Sequence, residues 1–149
     1  MRPEETVDYH IKSSWHSISR MYNQLASSYN LTQAAGYVLM MIDEEKGTHA
    51  TKIGPLLGME PTSMTRLLKS MESDELIIRT KEKGDKRKVR VWLTKEGLEK
   101  RSLARKVVKR FNSRILDEIG EDEFVIFKEI IQKVNHIADD CKKLPIDKI

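Results

Sequence analysis

Cysteine is nearly missing from this chain of 149 residues: Cys141 stands alone, so no intrachain disulfide can form and a reducing, cytoplasmic setting is expected. Long apolar stretches are missing too. The longest, Tyr37–Ile42, has six residues, against the roughly 20 that a membrane-spanning helix requires. The charged segment Met1–His10 lacks the pattern of a secretion signal. A soluble intracellular protein with no membrane partner is expected. Enzyme signatures are equally scarce. There is no glycine-rich phosphate loop, no HExxH, no paired carboxylates in an apolar setting and no Cys–His pairing with nucleophile character. Neither catalysis nor a cofactor is expected. His10, His16, His49 and His136 lie far apart in sequence and read as surface or packing residues before metal ligands. Cys141 closes an apolar stripe and reads first as a small buried hydrophobe, with oxidant sensing as the alternative.

What is present is charge and helical periodicity. A charged fraction of 34% beside a hydrophobic fraction of 39% describes one helix-rich domain with enough apolar residues for a core. The net charge of +4 is too small to name a partner, so the distribution of charge is the informative quantity.

Glu60–Ser73, EPTSMTRLLKSMES, is the centre of the chain. Pro61 suits a first helical turn, where its missing N–H has no partner to lose. Met64, Leu67, Leu68 and Met71 then recur at steps of three and four, the stripe of a core-facing helix. The opposite side collects Thr62, Arg66, Lys69 and Ser73, flanked by Ser63, Thr65 and Ser70. That face has two cations, five hydroxyls and no carboxylate. Such groups donate to phosphates and base edges, and a short helix fits the major groove of duplex DNA. Taken alone, the face also fits an ordinary solvated surface.

The next residues tip the balance. Leu76–Thr80 and Val89–Leu93 are short β-branched runs, joined by KEKGDKRK with a Gly84-Asp85 turn signal. From Arg79 to Arg90 seven residues are basic and two acidic. A helix–turn–helix followed by a cationic hairpin makes a duplex-binding surface, the hairpin reaching the minor groove or backbone. Arg66 and Lys69, with Thr62, Ser63 and Thr65 at the helix start, are the expected major-groove contacts. A basic wing docked on an acidic protein surface, as in a protein-interaction module, is the rival reading. A steep fall of affinity with salt separates the two.

Gly84-Asp85-Lys86-Arg87-Lys88, followed by Val89–Leu93 and Thr94-Lys95-Glu96-Gly97, resembles the wing signature of MarR-type winged-helix transcription regulators. Leu31-Thr32-Gln33, Ile53–Met59 and Thr65–Lys69 before Leu76-Ile77 fall in the same order as in that family. The resemblance implies a mainly α fold with a small antiparallel β-hairpin wing and long N- and C-terminal dimerisation helices. It implies a homodimeric repressor on a pseudo-palindromic operator. Asp85 is then expected to orient Arg87 into the minor groove, with Lys81, Lys83, Lys86 and Lys88 on phosphates. It also implies a small aromatic or acidic effector bound between the dimer helices and the winged unit, where Trp15, His16, Arg20 and Tyr37 are candidates, packing being their alternative role. Two residues depart from the family pattern: Glu75 stands where a turn glycine is usual, and Trp92 where an exposed polar strand residue is usual.

The flanks carry apolar seams. Val7, Ile11, Trp15, Ile18, Tyr22, Leu25 and Tyr29 predict a helix from Glu4 to about Tyr29. Thr32 caps a second helix that ends before Gly47, and Thr48 or Thr51 caps a short third one closed by Gly58, with Pro55 tolerable only in its first turn. Thr94 caps a long helix to Ile119, Gly120 breaks the chain, and Phe124, Phe127, Ile131, Val134, Ala138 and Cys141 form a further seam. The expected organisation is a dimerisation region of residues 1–31 and 98–149 around a DNA-binding region of residues 32–97. Pairing of the first and last helices within one chain is the alternative to a symmetric dimer.

Overall fold

The computed structural model describes residues 2–82, 85–145 and 148, with the backbone alone for Asp85, Lys86 and Arg87. By proximity the chain divides into two compact units, Met1–Lys106 and Val107–Ile149.

The first unit opens with a 3-10 turn, Pro3–Glu5, which delays the first helix to α1, Val7–Ser27. Thr6 Oγ1 caps it by accepting from Tyr9 N at 3.4 Å. Asn30, at φ 55°, reverses the chain after α1 so that Leu31 N reaches Ala26 O at 3.0 Å. Helix α2, Gln33–Met41, is capped by Thr32 Oγ1 as its sequence predicts. It stops well before Gly47 because Asp43 Oδ1 accepts from the backbone N–H groups of Glu45 and Lys46 at 3.0 and 2.8 Å, folding a tight turn. Those bonds hold the Asp43 carboxyl below its usual range, the Lys46 bond first.

Strand β1, Thr48–His49, and helix α3, Ala50–Leu56, follow. Neither threonine caps α3. Its N-cap is His49, without a side-chain cap, because Thr48 Oγ1 instead accepts from Asp43 N and donates to Met41 O. Pro55 lies in the last turn of α3 rather than the first, and the helix ends one residue later. Gly58, at φ 59°, closes it.

Helix α4, Pro61–Ser73, begins at the expected proline with Glu60 as N-cap. Its ending resolves the first departure from the family pattern. Glu75 itself takes φ 56°, with Leu76 N donating to Met71 O at 2.9 Å and Glu75 N to Glu72 O at 3.1 Å. The turn therefore keeps its left-handed residue without a glycine to occupy it.

Strands β2, Ile77–Glu82, and β3, Asp85–Leu93, are longer than the sequence runs suggest, and β1 adds a third strand in the antiparallel order β1-β3-β2. The register pairs Ile78 with Trp92 and Thr80 with Arg90 on one face, and Arg79 with Val91 on the other, with an irregularity between Lys81 and Glu82. Helix α5, Lys95–Cys141, leaves helical geometry at Gly120 (φ 80°, ψ 167°), the expected break.

Val38, Leu39, Ile42, Ile53, Met71, Ile77 and Val91 are fully buried in the core of the first unit, joined by Met64 and Leu68 of α4. At about 1.5–3 kcal/mol per buried aliphatic side chain, this cluster is what fixes the attitude of α4. The start of α5 is locked to the end of α4. Thr94 Oγ1 donates to Glu75 O at 2.6 Å and accepts from Gly97 N at 2.9 Å. A Cβ on Gly97 would fall 2.0 Å from Leu76 O, so only glycine fits this approach.

Candidate nucleic-acid interface

Because Met64, Leu68 and Met71 face the core, α4 must turn its other side outward, and Thr62, Ser63, Thr65, Arg66 and Lys69 are all exposed. Arg66 and Lys69 make no ion pair among the described residues, so both charges face solvent. Thr65 Oγ1 donates to Pro61 O at 2.8 Å, which leaves its lone pairs and methyl group for a partner.

The wing is less cationic at its root than its composition suggests. Arg79 donates through Nε and Nη2 to Glu72 Oε2 at 2.9 and 2.5 Å, and its N–H reaches Glu72 Oε1 at 3.1 Å. Arg90 donates to Glu82 Oε1 through Nε and Nη2 at 3.1 and 2.8 Å. These side-chain bonds are the leading cause holding the Glu72 and Glu82 carboxyls below their usual range. Two of the seven basic residues counted in this stretch are thus occupied inside the protein. Lys81 and Lys88 are exposed, and the charge of Lys88 also acts on Glu82. Lys83, the side chains of Lys86 and Arg87, and the Asp85–Arg87 pairing lie outside the described residues.

Glu72, Glu82 and His49 are structural partners that sequence inspection overlooked. No local pattern marks them, since His49 and Glu82 meet Arg90 through strand register and Glu72 meets Arg79 across the turn from α4 to β2. Trp92 is explained by the same packing: its Nε1 donates to Thr80 Oγ1 at 3.0 Å, and its ring lies so close to Gly47 that a Cβ there would come within 2.8 Å.

Trp15, His16 and Arg20 are exposed on α1, whereas Tyr37 is half-buried and stacks edge-to-face with Tyr22, ring centroids 6.2 Å apart. An open groove of about 500 Å3, lined among others by Glu72, Glu75, Ile78, Thr94 and Glu96, includes none of the four. Among the described residues no three His, Cys, Asp or Glu side chains are placed to hold a metal, and Cys141 is half-buried and free. No described helix is long and apolar enough to cross a membrane.

A helix–turn–helix whose second helix bares a hydroxyl-rich basic face, followed by a β-wing, defines a winged helix–turn–helix DNA-binding protein. Residues 31–89 match the MarR family. Over 109 residues the chain is 31% identical to the HTH-type transcriptional regulator SarZ of Staphylococcus aureus, covering 72% of this chain and 74% of that protein. The chain belongs to the MarR family of transcriptional regulators. Solved structures agree on the fold. A MepR–DNA complex from S. aureus superposes with a TM-score of 0.80 at 19% identity, covering 88% of this chain and 97% of MepR. The PcaV regulator of Streptomyces coelicolor, in complex with its natural ligand, also gives 0.80 at 19% identity, covering 93% and 97%.

Proposed function

We propose that this MarR-family regulator is a homodimeric, ligand-responsive repressor in the cytoplasm, with no catalytic activity of its own. Residues 32–97 engage a pseudo-palindromic operator, and residues 1–31 and 98–149 join the two copies. The observation that carries this reading is the exposed face of α4, where Thr62, Ser63, Thr65, Arg66 and Lys69 stand clear of the core without a carboxylate among them. Two-fold symmetry would present two such helices about 34 Å apart, one turn of duplex. Lys81, Lys83, Lys86 and Lys88 supply phosphate contacts, and Arg87, oriented by Asp85, enters the minor groove. MepR has been solved with DNA, and CouR of Rhodococcus jostii RHA1 with p-coumaroyl-CoA, which supports both a duplex and a small-molecule partner here. An acidic or aromatic effector near Trp15, His16, Arg20 and Tyr37 would change the spacing of the two α4 helices and lower affinity.

The test is a salt-titrated gel shift on duplex fragments selected from the source genome. Arg66→Ala and Arg87→Ala should each weaken operator binding by about 1–3 kcal/mol without altering the melting temperature. Binding insensitive to both substitutions and to salt would transfer the wing to a protein partner.

A further inference from the structure

Three strands meet at Arg90. It pairs directly with His49 of β1 and Thr80 of β2, and it is the outermost residue of β3 that β1 reaches. Beyond it the wing continues on β2 and β3 alone. From this position its guanidinium donates to Lys46 O through Nη1 at 2.8 Å and to Glu82 Oε1, while Nη2 lies 2.8 Å from His49 Nε2. One side chain thereby ties the root of the wing to the Asp43–Gly47 turn. That turn is anchored at its other side by the ion pair of Glu44 with Arg101, a residue of α5 that is only 6% exposed.

Guanidinium has donors only, so a hydrogen bond from Nη2 to His49 Nε2 requires a lone pair on Nε2 and the ring proton on Nδ1. A second proton would set two N–H groups against each other and put two cations side by side. Glu82 Oε1, 3.4 Å from the same Nε2, would then be drawn to the imidazolium. Among the described residues the charged groups of this cluster are Arg90 on β3 and Glu82 on β2, with Lys88 acting on Glu82; the turn contributes the Lys46 carbonyl.

We propose that Arg90 is a positioning residue for the wing, holding it to the Asp43–Gly47 turn most firmly while His49 is neutral and completes its set of partners, so that DNA affinity is coupled to protonation of His49. The inference rests on the wing's role in duplex binding. Loss of the latch frees the wing root, and ordering it again on DNA weakens binding.

The full-length protein is compared with His49→Gln, which keeps an acceptor that does not titrate, and with Arg90→Lys, which keeps the charge but not the fork. Affinity for one selected duplex is measured at fixed salt near pH 8 and near pH 5.5, the interval in which imidazole groups take up a proton. The dissociation constant of the wild type, divided by that of His49→Gln, should rise about three- to ten-fold on acidification, the effect of one lost hydrogen-bond set. Arg90→Lys should likewise lack the wild-type pH dependence, and it carries the comparison should His49→Gln fail to fold. A ratio that stays constant or falls overturns the proposal while leaving DNA binding intact. Backbone hydrogen exchange without DNA provides the independent arm. At matched pH, wild-type amides of residues 46–49 and 88–91 should lose protection on acidification relative to His49→Gln. Equal protection overturns the latch, and a wild type that binds no duplex at any pH overturns the functional reading instead.

Discussion

In the unit Met1–Lys106, side chains such as Val38, Leu39, Ile42, Ile53 and Val91 are sealed completely from solvent. In Val107–Ile149 no described residue is buried, and Val125, Ile126, Phe127, Ile130 and Ile137 are between 46% and 62% exposed. The first unit has a sheet and a helix–turn–helix to close around its core, although its N-terminal helix α1 leaves Val7, Ile11, Trp15 and Leu25 exposed. The described residues of the second are chiefly helix on either side of Gly120, and helices cannot cover their own apolar faces. Val125, Ile126, Ile130 and Ile137 lie outside the stripe of Phe124, Phe127, Ile131, Val134, Ala138 and Cys141. The lesson is a division of labour: one unit buries a core of its own, and the other leaves a run of large apolar side chains in solvent.

That contrast can be broken most severely at the exposed seam. Phe127→Asp combined with Ile130→Asp should weaken self-association by about 3 kcal/mol or more, over a hundredfold. Sedimentation equilibrium would read it, and an undiminished dimer would show that this face is not the interface. In the sealed unit, Gly97→Val should cost about 2–4 kcal/mol in denaturant unfolding, because its side chain must displace the Leu76 carbonyl. A neutral result would mean that α5 can withdraw from the α4–β2 turn.

Smaller effects sharpen the picture. Glu75→Gly should stabilise by about 0.5–1 kcal/mol, by relieving a left-handed residue that bears a Cβ. Glu72→Gln should destabilise by only about a few tenths of a kcal/mol, given solvent screening of a pair that is partly exposed. Its pH signature is more telling than its size. The Glu72 carboxyl is held below its ordinary value when folded, so its contribution is present above that value and disappears as pH falls through the depressed one. Acid unfolding curves of wild type and Glu72→Gln should therefore converge at low pH and separate above the ordinary carboxylate range.

Much of the architecture was legible because it is written in local periodicity. The stripe Met64, Leu68, Met71 located α4 and its outer face, Thr32 and Thr94 marked two helix starts, and Gly120 marked the break. The caps of α3 were misread because Thr48 is claimed by the Asp43 turn and by strand β1, a two-residue element too short to carry a pattern. The charge of the wing was overcounted for a related reason. Composition registers Arg79 and Arg90 as cations available to DNA, and only folding brings Glu72 of α4 and Glu82 of β2 to them.

Residue order by itself determined a winged helix–turn–helix with a basic, hydroxyl-bearing second helix, since spacing along a helix or strand dictates which side chains share a face. Tertiary structure alone decided which charges remain outward, because an ion pair depends on distances between elements that no local pattern encodes.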